Sequence, residues 1–274
     1  MSARRRSLSD ISYIAVTGGL AALALLILVG PVIIVLLTSL TDNRSLKFPP
    51  TGLSFQWYEQ LLDAVRSRQI HRAASNSLEV AAWATAASTL FGTMAALALA
   101  RSRSPWARAT DAVFMSPMIL PGLAFGLAAL MYFTLMGFRP SLNLIIIGHA
   151  IVIVPLVLRT TTASLAQLDI SLLECSASLG ASRFYTFRRV TLPIIAPGII
   201  AGAFLAFMAS LDNVPISLFL SSPRTDMLPI RLWGMMESTL DVRVAAVSGV
   251  MIVTVLTLML LMDRLVGLTR RMRD

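Results

Sequence analysis

Six long apolar runs, at 11–37, 78–100, 112–136, 142–164, 196–220 and 244–262, alternate along the chain with shorter polar stretches. Each has the ~20 residues that a helix needs to cross ~30 Å of hydrocarbon. A helix also satisfies its backbone polar groups within one segment, which lipid requires. The pattern predicts an all-α, polytopic membrane protein with six transmembrane helices, in a single domain over 1–274. The first run leads into 38–42 without an A-x-A site, so it is expected to be a retained span and not a cleaved signal. Small residues dominate the second, with Ala81, Ala82, Ala84, Ser88, Gly92 and Ala95 among them. Such residues let backbones approach closely in lipid, so this helix is expected in the bundle interior.

The polar stretches carry the finer expectations. Between the first two runs, Pro49, Pro50 and Gly52 break structure, and Ser54 is a cap for a short helix. The stripe Trp57, Tyr58, Leu61, Leu62 is suited to the outer membrane interface. Asn76 is an N-cap for the second span. Pro117, Pro121, Pro155 and Pro215 lie inside apolar runs, where each removes a helical hydrogen bond and bends the helix. Several bends in one bundle favour a water-lined path.

A polar island at 172–193 separates the fourth and fifth runs. The spacing of Leu168, Leu172, Leu173, Ala177 and Leu179 predicts a helix stopped by Gly180 in a left-handed turn. A second short helix follows from Ser182 as N-cap, with Phe184 and Phe187 on one face, and Leu192 and Pro193 end it. Cys175, the one cysteine, packs as a small apolar residue and excludes an intrachain disulfide.

Three polar residues interrupt the spans. His149 reads as a hydrogen-bonded packing residue, and Arg159 can snorkel to the inner interface. Asp212 is different, because an ionised acid at the centre of a span costs at least ~2.5 kcal/mol on insertion scales unless it faces water or a partner. Asn213 and Ser217 extend its polar patch, and Pro215 bends the helix between them.

A mean hydropathy of +0.77, with 56% hydrophobic and 14% charged residues, excludes a soluble domain. The net charge of +9 reflects topology and not nucleic acid. Arg4, Arg5 and Arg6 precede the first span, which puts the N-terminus in the cytoplasm, and six spans return the C-terminus there. Arg101, Arg103, Arg108, Arg183, Arg188, Arg189, Arg264, Arg270, Arg271 and Arg273 then join the cytoplasmic side. The bias is modest, because the first outer loop holds Arg44, Lys47, Arg66, Arg68 and Arg72.

The island carries a family resemblance. Glu174, Gly180 six positions on, and Val190-Thr191-Leu192-Pro193 after nine more residues resemble the E-A-A, Gly, I-x-L-P signature of permease subunits of binding-protein-dependent ABC importers. Cys175 and Ser176 replace the two alanines, and Val190 replaces the isoleucine, by residues of similar size. Asn76-Ser77-Leu78, the Ser116–Gly122 stretch, the Gly148–Pro155 stretch, the segment through Phe219 and Leu228-Pro229-Ile230-Arg231 are similar to the same family, closest to its spermidine/putrescine branch. The resemblance implies the type I importer permease fold in the bacterial inner membrane. It also implies a cytoplasmic coupling loop over about 165–195 that docks on an ATPase through Glu174, Cys175, Ser176, Gly180, Ala181, Phe184, Leu192 and Pro193. The implied partners are a second homologous permease, two ATPase subunits and a periplasmic binding protein. Asp212, Asn213, Pro215 and Ser217 are the candidate translocation path.

A phosphate-binding loop needs G-x-x-x-x-G-K-[ST]. The lone lysine, Lys47, is followed by Phe48, so ATP and its magnesium belong to a partner chain and this chain carries no cofactor. No metal-ligand spacing, paired carboxylates or Ser-His-Asp set marks an enzyme. A proton-coupled secondary transporter using Asp212 is the rival from another class, but no inverted repeat supports it. The solute is expected to be small and cationic, with an opine, another amine or a phosphonate as alternatives.

Overall fold

The computed structural model describes residues 8–102, 104–239 and 241–266. Arg4, Arg5, Arg6, Arg103, Arg270, Arg271 and Arg273 lie outside the described residues. Among those residues the regular elements are all helices, apart from one isolated bridge, Thr41 to Leu53. The helices are α1 (Leu8–Ser39), α2 (Gln56–Leu62), α3 (Arg68–Ala100), α4 (Pro105–Ile119), α5 (Gly122–Leu135) and α6 (Leu142–Leu165). They continue with α7 (Ile170–Ser178), α8 (Arg183–Thr186), a π-helical turn (Phe187–Thr191), α9 (Leu192–Leu211), α10 (Val214–Leu220), α11 (Leu228–Thr239) and α12 (Arg243–Val266). They fall into two compact units, Met1–Ser67 with Met235–Val255, and Arg68–Gly234 with Leu256–Asp274.

The second unit is built on α3, α6 and α9, which pack pairwise. The small-residue expectation for α3 holds, since Ala81, Ala84, Ser88, Gly92, Ala95 and Ala96 are buried. A Cβ on Gly92 would come within 2.9 Å of Val157 Cβ, so only glycine permits this approach of α3 to α6. Ser88 Oγ donates to the Ala150 carbonyl at 3.0 Å, a polar tie between the same helices. Val80, Leu144, Ile145, Ile216, Leu220 and Met227 form one apolar cluster, and Ala84, Ile153, Val157 and Ala206 another. Asn76 caps nothing, because α3 begins eight residues earlier at Arg68. Its Nδ2 donates to the Asp226 carbonyl at 2.9 Å and ties α3 to the segment before α11.

Among the described residues, five helices are long and apolar enough to cross a membrane, or six if the bent pair α4 and α5 is one span. That pair replaces the continuous helix expected over 112–136 and turns by 106°. The cause is local. Leu120 precedes Pro121, which disfavours helical backbone at Leu120 and leaves it extended at φ −74, ψ 141. Pro117 removes a second N–H, and the Val113 carbonyl it would have used accepts Ser116 Oγ at 2.8 Å instead. The fifth span also departs from expectation. Helix runs unbroken from Arg183 to Leu211, so Leu192 and Pro193 do not end it, and it stops short of 220. Pro215 begins α10 and does not kink a longer helix.

In the first unit the expected interfacial stripe is divided. Trp57 and Leu61 are buried while Leu62 is 83% exposed. Trp57 Nε1 donates to the Thr41 carbonyl at 2.8 Å, and the Tyr58 and Ser39 hydroxyls share a hydrogen bond of 2.7 Å, so α2 is fastened to the end of α1. Ser54 does not cap α2 as its N-cap residue, a place held by Phe55, although its Oγ accepts the Gln56 N–H at 3.2 Å.

The close contact of α5 with α10 yields a test. A Cβ on Gly126 would lie 2.6 Å from the Pro215 carbonyl oxygen and 2.8 Å from the Phe219 ring. Overpacking of this kind costs about 1–3 kcal/mol. Gly126→Val is expected to lower the thermal unfolding midpoint in detergent, whereas Gly19→Ala, with open space around it, is expected to leave it unchanged.

Candidate functional site: the 170–193 loop and the α9–α10 break

The loop folds as two short helices about Gly180. Asp169 Oδ1 accepts the Ser171 N–H at 2.9 Å and caps α7. That backbone hydrogen bond holds the Asp169 carboxyl below the usual carboxylate range. At the other end Gly180 takes φ +76, with Gly180 N–H donating to the Ala177 carbonyl at 2.9 Å and Ala181 N–H to the Ser176 carbonyl at 3.1 Å. This is the Schellman closure, in which a left-handed residue lets the last carbonyls find partners. Ser182 Oγ accepts the Tyr185 N–H and caps α8, as its spacing predicts. Ser176 and Thr186 share a hydroxyl hydrogen bond of 2.8 Å that pins α7 against α8. Between them lies an open notch of about 520 Å³ lined by Ser176, Leu179, Gly180, Ala181, Ser182 and Tyr185.

The loop presents apolar surface outward. Leu179 is 85% exposed and Phe184 72%, and Glu174 and Cys175 are exposed as well. Cys175 therefore does not pack as expected, because α7 has no buried face among its residues. Leu192 and Pro193 sit in the first turn of α9, after the π-turn. There the Leu192 N–H reaches back five residues to the Phe187 carbonyl. The wider turn takes in Pro193, whose ring would press on the carbonyl four residues back in a regular α-helix.

At the far end of the same helix, α9 stops at Leu211. Asp212 takes φ −101, ψ 12 and Asn213 φ −77, ψ 90 before α10 starts. Asn213 Oδ1 accepts the Ile216 N–H at 3.1 Å and caps α10. The Asp212 side chain is exposed, with no hydrogen bond or ion pair to its carboxylate among the described residues. Ser217 does not join it. Its hydroxyl is buried and lies 3.1 Å from His149 Nε2. Pro215 packs on Gly122 of α5, so the two interrupted segments, 120–122 and 212–215, meet.

Sequence reasoning missed two parts of this arrangement. Ser210, buried 2.8 Å from His149 Nδ1, could have been found from two serines seven apart in one apolar run facing a lone buried histidine. Arg159 does more than snorkel, since its guanidinium pairs with Asp111 of α4 at 3.1 Å. A run-by-run reading carries no signal for a pair between two helices.

Comparison with known proteins gives the identity. A model of the binding-protein-dependent transport system inner membrane component matches residues 88–273, more than half of the chain. The chain belongs to this permease family. The permease is 27% identical over 230 residues to the spermidine/putrescine transport system permease protein PotC of Escherichia coli (strain K12), covering 84% of this chain and 86% of that one. It is 30% identical over 204 residues to the putrescine transport system permease protein PotI of the same organism, covering 72% of each. Among solved structures, a chain of the bacterial alginate ABC transporter in complex with an alginate pentasaccharide-bound periplasmic protein superposes with a TM-score of 0.72. That match is 16% identical and covers 95% of this permease and 96% of that chain, so it shows the fold. The permease is thus a multi-pass inner-membrane protein with the type I ABC importer permease fold.

The turn at Gly180 supplies a prediction. A side chain in the left-handed region costs roughly 1–2 kcal/mol, so Gly180→Leu is expected to loosen the Schellman closure. Amide exchange at Gly180 and Ala181 should rise while the α3, α6 and α9 amides stay protected. Unchanged exchange at those two positions would show that the turn does not depend on glycine.

Proposed function

We propose that this permease forms, with a second homologous permease, the translocation path for a small cationic, polyamine-like solute. A periplasmic binding protein delivers the solute, and two separate ATPase subunits drive the cycle from the cytoplasm. The observation that carries the reading is Asp212, an exposed carboxylate without a partner among the described residues, at a helix break in an apolar run. Such a charge is tolerable where it meets water or a cation, and its attraction for a cation grows as water is excluded. The names of the relatives agree, since PotC and PotI are permeases for spermidine/putrescine and putrescine.

The ATPase contact is assigned to the 170–193 loop. Leu179 is exposed at the notch, Glu174 on α7 and Phe184 on α8 are exposed as well, and Arg183–Leu211 is one unbroken helix leading from the loop to Asp212. ATP and magnesium are held by the partner subunits, in keeping with the lack of any phosphate loop in this chain. The termini and this loop lie on the cytoplasmic side.

Reconstitution tests the reading. The purified chain alone is expected to hydrolyse no ATP and to support hydrolysis only with a nucleotide-binding partner; hydrolysis by the isolated chain would refute this. Glu174→Lys, which reverses charge on the docking helix, should reduce transport while membrane insertion stays intact. Asp212→Asn keeps the shape and removes the charge. In a complex that assembles normally it should reduce spermidine or putrescine uptake at least several-fold. Poor co-purification of the subunits would instead make Asp212 an assembly contact, and normal uptake by a normal complex would remove it from the path.

A further inference from the structure

His149 is completely buried in α6, and both of its ring nitrogens are used. Nδ1 lies 2.8 Å from Ser210 Oγ on α9, and Nε2 lies 3.1 Å from Ser217 Oγ on α10. Both hydroxyls are buried as well. One imidazole therefore joins the two helices that meet at Asp212, holding one residue two positions before it and one five positions after it.

The joint needs such a tie. The Asp212 N–H still reaches the Met208 carbonyl at 3.3 Å as the last four-residue bond of α9, and beyond it the backbone ladder is reduced to an Asn213 N–H to Ser210 carbonyl bond of 3.3 Å and a Val214 N–H to Asp212 carbonyl bond of 3.0 Å. Neither of these last two is the four-residue bond that stiffens a helix, so past Asp212 the backbone alone leaves the angle between α9 and α10 soft. Packing fixes α10 from two sides. A Cβ on Gly148 would come 2.7 Å from Ile216 Cγ2, and one on Gly126 would meet the Pro215 carbonyl oxygen. Neither contact reaches α9. The His149 bridge does, and in apolar surroundings a satisfied polar pair is costly to break because its groups would be left without partners.

We propose that His149 is a positioning residue for Asp212, a clamp on the α9–α10 joint that sets where the exposed carboxylate points. This rests on the reading of Asp212 as the cation contact of the path. The clamp touches neither solute nor ATPase. Its role is to keep α9 and α10 at one angle, so that movement of the long Arg183–Leu211 helix carries the carboxylate as a fixed group.

Two measurements on the assembled complex in lipid nanodiscs and proteoliposomes test it. The first is amide hydrogen exchange over 208–217. His149→Ala and the milder Ser217→Ala are expected to speed exchange at 212–214 at least ten-fold while α3 amides keep their protection. Unchanged exchange in both variants overturns the clamp. The second is spermidine or putrescine moved per ATP hydrolysed. Ser217→Ala and His149→Ala are expected to lower this ratio several-fold in complexes that assemble normally, and to lower it no further once Asp212→Asn is present. Losses that multiply with that of Asp212→Asn overturn the proposal, because they would show that His149 serves packing independently of the carboxylate. Should the unaltered complex move neither polyamine, the solute assignment fails, and the exchange measurement alone decides whether the clamp exists.

Discussion

A peptide group inside hydrocarbon must find its hydrogen bond within the protein, and the two breaks described in the apolar runs answer to that constraint. Where Pro117 deprives the Val113 carbonyl, Ser116 Oγ supplies the donor. Where α10 begins without a preceding turn, Asn213 Oδ1 takes the exposed N–H of Ile216. Outside the spans the same need shapes the loop, whose α7 ends on a left-handed glycine that returns two N–H groups to orphan carbonyls. Interruptions fall where a Ser or Asn side chain, or the backbone freedom of a Gly, can repair them, and the two within apolar runs meet at Pro215 and Gly122.

Once backbones are satisfied, helices in lipid gain little from hiding apolar surface from one another, so association depends on close fit and a few polar ties. α3, α6 and α9 show both. Gly92 admits the α6 backbone, and Ser88 bonds the Ala150 carbonyl across the interface. α4 has no fully buried residue; its Phe114 and Met115 pack on Ala95, Ala96 and Leu158, and the Arg159–Asp111 pair at 3.1 Å adds a polar tie. An arginine within a span is costly alone, and a carboxylate on the neighbouring helix offsets that cost.

The loop and the break are two ends of one mechanical element. From Arg183 to Leu211 the helix has 29 residues, roughly 43 Å at 1.5 Å per residue. The π-turn at Phe187–Thr191 preserves this continuity by accommodating Pro193 without a break. On the proposed reading of the loop as the ATPase contact, this continuous helix is the route by which a displacement at the notch between α7 and α8 would reach Asp212. What happens there depends on how firmly α9 and α10 are joined.

The sequence by itself determined the apolar runs, the interior character of α3, and the loop turned at Gly180 and capped at Ser182. These are local properties, fixed by hydropathy, by small side chains and by the φ freedom of one glycine. It also marked Asp212 as anomalous, because charge in an apolar run is legible without any structure. Tertiary structure alone decided which interruptions bend and which break. Pro155 stays inside α6 while the segment at Pro121 turns 106°, although both prolines read alike in sequence. It also decided that Ser217 faces His149 and not Asp212, that Trp57 turns inward to the Thr41 carbonyl, and that Arg159 meets Asp111. Each of these joins residues brought together by helix packing, and the rotation of one helix against another is set by the fit of their surfaces, which no single run of sequence contains.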